Sequence, residues 1–216
     1  MMYISLEIEG IRKMLKVQPT SKEELKEIIK RTIETEGLNC DLNFIDTSLI
    51  TDMSCLFAFS QFNGDISNWN VSNVEDMSGM FYCSKFNGNI SKWNVSNVKN
   101  MYDMFALTDF NQDISKWDVS NVEKMQTMFF KSNFNGNIAD WNVSNVKDMS
   151  GMFYKTNFNG DISNWDVSKV TNINGMFCLS KFNGDISNWD VSSVERKSDV
   201  FGGSPLEKNP PKWYVK

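Results

Sequence analysis

The chain has 216 residues, among them sixteen phenylalanines and seven tryptophans, and no histidine. Acidic residues outnumber basic ones by 27 to 22, so there is no net positive field to attract nucleic acid or an anionic membrane surface. The lack of histidine removes Ser/His/Asp and Cys/His catalysis and the commonest transition-metal ligand. We therefore expect an ordered protein that is not an enzyme and has no cofactor, bound metal or nucleic-acid partner.

The first fifteen residues do not have the pattern of a secretory signal. Glu7, Glu9 and Arg12 interrupt the apolar stretch that such a signal requires. No run of about 18 apolar residues occurs elsewhere, so we expect no membrane insertion. As written, the sequence predicts a cytoplasmic protein.

The segment that follows predicts an amphipathic helix over residues 21–36. Ser21 and Glu24 form a capping box, Leu25 and its successors place apolar residues on one face, and Gly37 marks the end. We assign this helix to an amino-terminal cap. The chain then divides into a cap at 1–41, a repeat region at 42–201 and a carboxy-terminal cap at 202–216.

The repeat has a period of 24 residues without a single insertion. Every tryptophan obeys it: Trp69, Trp93, Trp117, Trp141, Trp165, Trp189 and Trp213. Phenylalanine columns obey it too, beginning at Phe57 and Phe62, and valine and methionine columns begin at Val71, Val74 and Met77. One such coil cannot bury its apolar residues alone, so stacking of neighbouring coils is the expected driving force of folding.

The spacing inside a coil predicts two kinds of local structure. Trp69 and Val71 alternate with polar residues, which indicates a strand. Val74, Met77 and the residues after them follow at helical spacing, with Ser72 as the expected helix cap. Serine and glutamate three residues apart form capping boxes in three coils: Ser72 and Glu75, Ser120 and Glu123, Ser192 and Glu195. The predicted fold is thus an α/β repeat solenoid, a leucine-rich-repeat-like stack of about seven 24-residue strand-helix coils with an amino-terminal capping helix.

Asn-Gly pairs predict a tight turn of positive φ that returns the chain to the next strand. They begin at Asn63, Asn87, Asn135, Asn159 and Asn183.

The strings FNGDISNWDVS and NVEDMSGMF, and the leader that starts at Pro19, resemble BspA-type leucine-rich-repeat surface proteins of bacteria. That family overlaps the mycoplasma-type repeat domain of unknown function, and the similarity runs from about Pro19 to Phe201. The resemblance implies a leucine-rich-repeat-like solenoid and a binding role, with adhesion in some members. It also suggests a location at the cell surface or outside the cell, which contrasts with the missing signal.

The sequence also contains four cysteines and a column of acidic and amide residues. Cys40, Cys55, Cys83 and Cys178 fall at different phases of the repeat, which favours free thiols over disulfides or a metal. A column of Asp and Asn that begins at Asp65 has the oxygen ligands of a calcium stack, but capping of turn amides explains it as well.

Partner-binding candidates are the positions that vary while the core columns do not. The first set flanks the tryptophans: Asn68, Lys92, Lys116, Asp140, Asn164 and Asn188. The second lies on the far side of the predicted helix: Tyr82, Tyr102, Phe130 and Tyr154, with Lys131 and Lys155 beside them. Aromatic residues beside lysines suit a protein partner.

The leading hypothesis is a monomeric, non-enzymatic interaction module, adhesin-like by resemblance, that presents one face to a protein or glycan. A structural or self-assembling spacer and an intracellular scaffold are the alternatives. A glycan hydrolase would need two converging acids that break the repeat symmetry, and the sequence has no such pair.

Overall fold

A computed structural model describes residues 16–214. The segment considered above for a secretory signal, residues 1–15, lies outside this range, as do residues 215–216. The described residues contain one α-helix, α1 (Lys22–Glu36), and one 3₁₀ helix, Pro205–Glu207. Neither has the length and apolar character needed to cross a membrane.

Helix α1 forms where the capping box predicts it. The Ser21 side chain accepts a hydrogen bond from the Glu24 amide at 3.1 Å, and Gly37, at φ 90°, ends the helix. Leu25 and Ile29 are buried against the first coil of the repeat. The exact limits of the two caps and the repeat region stay a prediction.

The rest of the described chain forms stacked coils in which equivalent residues lie 24 positions apart. Single parallel bridges join neighbouring coils, as between Asp52 and Asp76 or between Asn172 and Arg196. Between residues 38 and 204 there is no helix and no strand longer than one bridged residue. The prediction of an α/β leucine-rich-repeat-like solenoid with strand-helix coils is therefore wrong.

Backbone hydrogen bonding explains why the predicted helix does not form. The Met80 amide donates to Met77 O at 3.1 Å, which closes a turn, whereas the Phe81 amide donates to Met104 O of the next coil at 3.0 Å. An α-helix needs every amide to bond four residues back along its own chain. The apolar spacing of three instead reflects successive turns that each place one side chain inside.

The predicted helix cap and strand are replaced by turns as well. The Ser72 amide donates to Asn70 Oδ1 at 3.1 Å, and the Glu75 amide donates to Thr51 O at 2.8 Å, so this serine and glutamate do not form a capping box. The Trp69 amide donates to Ile66 O at 3.1 Å. This turn, and not a strand, accounts for the alternation of apolar and polar residues around Trp69.

Left-handed backbone occurs twice in each coil, but not at the Asn-Gly pairs. The third residues of two turns have positive φ, as at Cys55 (55°) and Phe59 (59°) in the first coil. The glycine of each Asn-Gly pair is outside the positive-φ region. A Cβ at Gly88 would lie 2.8 Å from the Phe86 ring, so these glycines are needed for contact with phenylalanine.

The core columns expected from the repeat are buried. Phenylalanine rings of successive coils stack, as Phe81 does on Phe105 at 5.6 Å, and Phe81 also stacks on Phe86 of its own coil at 4.3 Å. Burial is less complete at the two ends, where Phe44 and Trp213 are only partly buried. One set of core residues is thus copied from coil to coil.

We call one side of the stack the turn face. It consists of the segments that carry the positive-φ turns: 51–60, 75–84, 99–108, 123–132, 147–156, 171–180 and 195–204. Four columns of backbone hydrogen bonds run along it, and in each the amide of one coil donates to a carbonyl of the next, as from Phe57 to Met80 O at 2.8 Å. The bordering column runs the other way, as from Lys99 to Glu75 O.

Charged side chains complement the aligned peptides of the turn face. Aligned peptide units sum to a dipole whose amide end is positive. At the carbonyl end, Lys22 Nζ lies 3.1 Å from Asp52 Oδ1 and also contacts Ser54 Oγ. At the amide end, the Glu207 carboxylate accepts a hydrogen bond from the Gly203 amide at 2.9 Å.

Candidate interaction surface

The first predicted set forms an exposed column beside the tryptophans. All six residues are exposed: Asn68, Lys92, Lys116, Asp140, Asn164 and Asn188. Each precedes its tryptophan in the turn that the isoleucine carbonyl closes, so these residues lie on turns and not on a strand face. The tryptophan side chains point inward and stack with the phenylalanines of the turn face, as Trp93 does with Phe81 at 6.3 Å. The column therefore belongs to a different side of the coil from the turn face.

The second predicted set lies on the turn face, and the structure brings part of it together. The Phe130 and Tyr154 rings stack at 4.9 Å with 14° between their planes. Tyr102 is 46% exposed, and its hydrogen bond with Asp103 raises the pKa of its hydroxyl. The Tyr82 ring packs edge to face on Phe59 at 5.2 Å.

Sequence reasoning missed three exposed apolar residues of this surface. Phe59 is 69% exposed, Leu179 48% and Leu107 37%. They occupy the repeat position of Lys131 and Lys155, so the alignment of coils contained the signal. The sequence analysis selected this position only where it carries a lysine next to an aromatic residue, as at Lys131 and Lys155.

These exposed side chains stand on left-handed backbone. Phe59, Leu107, Lys131, Lys155 and Leu179 have φ between 51° and 59°. Left-handed backbone costs a residue with a Cβ about 1 to 2 kcal/mol. Gly203 shows the unstrained solution at the same repeat position, with φ 69°. The chain thus retains bulky, exposed side chains at positions where glycine would be more favourable.

The two lysines of this column have no acidic partner. Lys131 Nζ lies over the Phe130 ring, 5.0 Å from its centroid. Among residues 16–214 neither Lys131 nor Lys155 forms an ion pair. At the edge of the same face Lys99 pairs with Glu75 at 2.7 Å, so the repeat can supply carboxylates to lysines.

Comparison with known proteins assigns the repeat region to a protein family. Residues 24–133 and 106–213 match the family described as "Mycoplasma protein of unknown function, DUF285". The chain belongs to this DUF285 family. No curated protein and no solved structure matches the chain. Family membership therefore supports the mycoplasma-type part of the resemblance and carries no assigned activity.

The Asp and Asn columns of this DUF285 chain cap its turns. Asp113 Oδ1 accepts a hydrogen bond from the Ser115 amide at 2.9 Å, and Asn89 Oδ1 accepts one from the Ser91 amide at 3.0 Å. The backbone and side-chain hydrogen bonds from Ser115 lower the pKa of Asp113. No group of three metal-ligating side chains that could hold an ion occurs in the described range. The capping interpretation of these columns is confirmed.

The cysteines and a small cavity at the carboxy-terminal end are further candidates for a site. All four cysteines are free. Burial, followed by a hydrogen bond to Asp199, raises the pKa of the Cys178 thiol to about 11, which disfavours the reactive thiolate. A cavity of about 10 Å³ next to Asp199 and Glu207 has room for a water molecule and not for an organic ligand.

Proposed function

We propose that this DUF285 protein is a non-enzymatic interaction module that uses its turn face to hold a protein partner. The observation that carries the proposal is the row of exposed apolar side chains on strained backbone, of which Phe59 is the most exposed. Backbone strain retained without a packing reason is typical of functional positions. Exposed aromatic and apolar side chains are also the usual anchors of protein interfaces.

A protein partner is favoured over a glycan by the arrangement of the rings. Sugars stack on open ring faces, whereas Phe130 and Tyr154 stack on each other and Lys131 lies over Phe130. The Phe59 and Tyr82 rings pack edge to face, so these two rings do not form a coplanar platform. Apolar side chains such as Leu107 fit a protein surface better than a hydroxyl-rich polymer.

The resemblance to BspA-type surface proteins supports an adhesin-like form of this module. In that form the partner would be a protein of a host or neighbouring cell. Fractionation of native cells into medium, protease-accessible surface and cytosol tests the location. Recovery only in the cytosol would rule out the adhesin form and leave an intracellular scaffold.

Site-specific photocrosslinking tests which face binds. A benzophenone amino acid replaces Phe59 or Tyr102 on the turn face, and Lys92 or Asn164 in the column beside the tryptophans as matched exposed controls. We expect a discrete crosslinked partner from the first two positions and none from the controls. Crosslinks from the control positions alone, or filaments of the protein itself at all positions, would overturn the proposal.

A further inference from the structure

We infer that the centre of the turn face binds an acidic protein segment that contains an aromatic or other apolar side chain, an inference that rests on the proposed function. The centre consists of Phe130, Lys131, Tyr154 and Lys155. It combines two unpaired positive charges with two aromatic rings on neighbouring coils. Such a combination is complementary to carboxylates that alternate with apolar groups.

The two lysines are held side by side at an energetic cost. The Lys131 amide donates to Tyr154 O at 2.8 Å, which places Lys131 and Lys155 on hydrogen-bonded neighbouring coils. Coils joined in this way are about 5 Å apart, so like charges at the same repeat position of both coils repel each other. Both residues also have positive φ, 51° and 53°. A negatively charged group bound between them would relieve the repulsion.

Three other lysines on or near the turn face are paired with carboxylates. Lys99 lies 2.7 Å from Glu75, Lys147 lies 2.5 Å from Glu123, and Lys85 lies 3.8 Å from Asp109. Lys147 lowers the pKa of Glu123 through their hydrogen bond, so this glutamate is charged at neutral pH. Lys131 and Lys155 occupy the same repeat position on neighbouring coils of the turn face, and neither forms an ion pair among the described residues.

The coil that carries Phe130 and Lys131 has further unfavourable features. Thr127 is β-branched and has φ 53°, an outlier for such a residue. Gln126 Oε1 and Thr127 Oγ1 are shielded from solvent and have no hydrogen-bond partner within the described structure. Equivalent positions in other coils are Ser78 and Gly79. Several unfavourable features in one coil are typical of a functional position and not of optimised packing.

The aromatic pair favours a ligand that has an apolar group over a purely ionic ligand. Phe130 and Tyr154 are half-buried, so each is partly accessible, and Leu107 and Leu179 are exposed on the coils before and after. Ring edges pack against apolar or aromatic side chains of a partner. Carboxylates of the same segment reach the two lysines, so we expect recognition of an acidic peptide and not of an anionic polysaccharide.

Fluorescence polarisation with defined polymers tests the inference. The probe is a labelled random copolymer of glutamate and tyrosine, compared with polyglutamate and with heparin. The test variant is K131Q/K155Q. Its matched control is K92Q/K116Q, which removes the same charge from two lysines on neighbouring coils beside the tryptophans. Circular dichroism verifies that each variant is folded, and K131R/K155R keeps the charge.

We expect the copolymer to bind the wild type, the control variant and K131R/K155R alike, and to bind K131Q/K155Q about tenfold or more weakly. Polyglutamate and heparin should bind more weakly than the copolymer. An equal loss in both glutamine variants, absence of copolymer binding, or tighter binding of heparin through the same lysines would overturn the inference. If crosslinking from position 59 still captures a partner in that case, the proposed function stands and only the acidic class is wrong.

Discussion

The indole Nε1 of Trp117 donates a hydrogen bond to the carbonyl oxygen of Ile90, one coil earlier, at 3.2 Å. The same carbonyl accepts the amide of Trp93 at 3.1 Å, so one oxygen both closes a turn and holds the next coil. All seven tryptophans repeat this bond, the last from Trp213 to Ile186 O at 2.8 Å. The invariant spacing of the tryptophans thus follows from this hydrogen bond as well as from packing.

Trp117→Phe should lower the free energy of unfolding by about 1 to 2 kcal/mol, because the ring is kept but the buried hydrogen bond is lost. Trp117→Ala should cost about 3 to 5 kcal/mol, since it also leaves a cavity. Urea unfolding followed by circular dichroism measures both. Trp213→Phe is the control and should cost less than Trp117→Phe, because Trp213 is only half-buried. Equal stability of wild type and Trp117→Phe would contradict the role of the bond.

Alanine at the Asn-Gly glycines should destabilise the protein in an order set by contact distances. A Cβ at Gly64 would lie 2.0 Å from Cys40 O, a backbone atom, whereas at Gly88 it would lie 2.8 Å from the Phe86 ring. Gly88→Ala should cost about 1 to 3 kcal/mol and Gly64→Ala more, because backbone cannot move aside easily. Thermal unfolding gives the order. The reverse order would show that these contact distances do not determine the cost of alanine.

Glycine at Lys131 should leave the free energy of unfolding unchanged or raise it by up to about 1 kcal/mol, because it removes left-handed strain. Glycine at Lys85, an exposed lysine outside the positive-φ positions, should lower it by about 0.5 to 1 kcal/mol. Chemical denaturation of the two variants makes the comparison. A loss of stability in Lys131→Gly as large as in Lys85→Gly would contradict the strain argument.

The aspartates of the turn caps should make the protein sensitive to acid. Hydrogen bonds from Ser115, Ser163 and Ser187 lower the pKa values of Asp113, Asp161 and Asp185 in the folded state. A lowered folded-state pKa contributes stability that is present above about pH 4 and is lost as the pH falls further.

The variant D113N/D161N/D185N tests this contribution, since asparagine already caps the same turn at Asn89 and Asn137. We expect a smaller decrease in melting temperature between neutral and acidic pH than in the wild type. Aspartate-to-alanine changes at the same positions, which remove the cap, should lower stability at neutral pH as well. An unchanged pH profile in the asparagine variant would count against these groups as the source of acid sensitivity.

The sequence predicts which residues form the core of this protein better than it predicts the backbone conformation. Columns such as Trp117 and Phe105 are visible because stacking demands the same apolar residue in every coil. The spacing from Met77 to Met80 is common to a helix and to successive turns. The backbone hydrogen bonds between coils stabilise the turns, and they leave no pattern in the sequence. Helix α1 was predictable because its cap and its end are both local signals.

The candidate surface was predictable only in part for the same reason. Tyr102 and Phe130 were found because they vary where core columns do not. Phe59 was missed, since its left-handed backbone and its exposure depend on the turn geometry. The absence of ion pairs at Lys131 and Lys155 likewise depends on which carboxylates the coils bring near.

On this account, the exposed side chains of the turn face lower the stability of the fold and are retained because they bind a partner. The variant F59G/L107G/L179G tests it most directly, by measuring unfolding free energy and capture of the crosslinked partner on the same protein. We predict equal or higher stability together with a loss of capture by about tenfold or more. Lower stability with capture intact would show that these side chains serve the fold and not a partner.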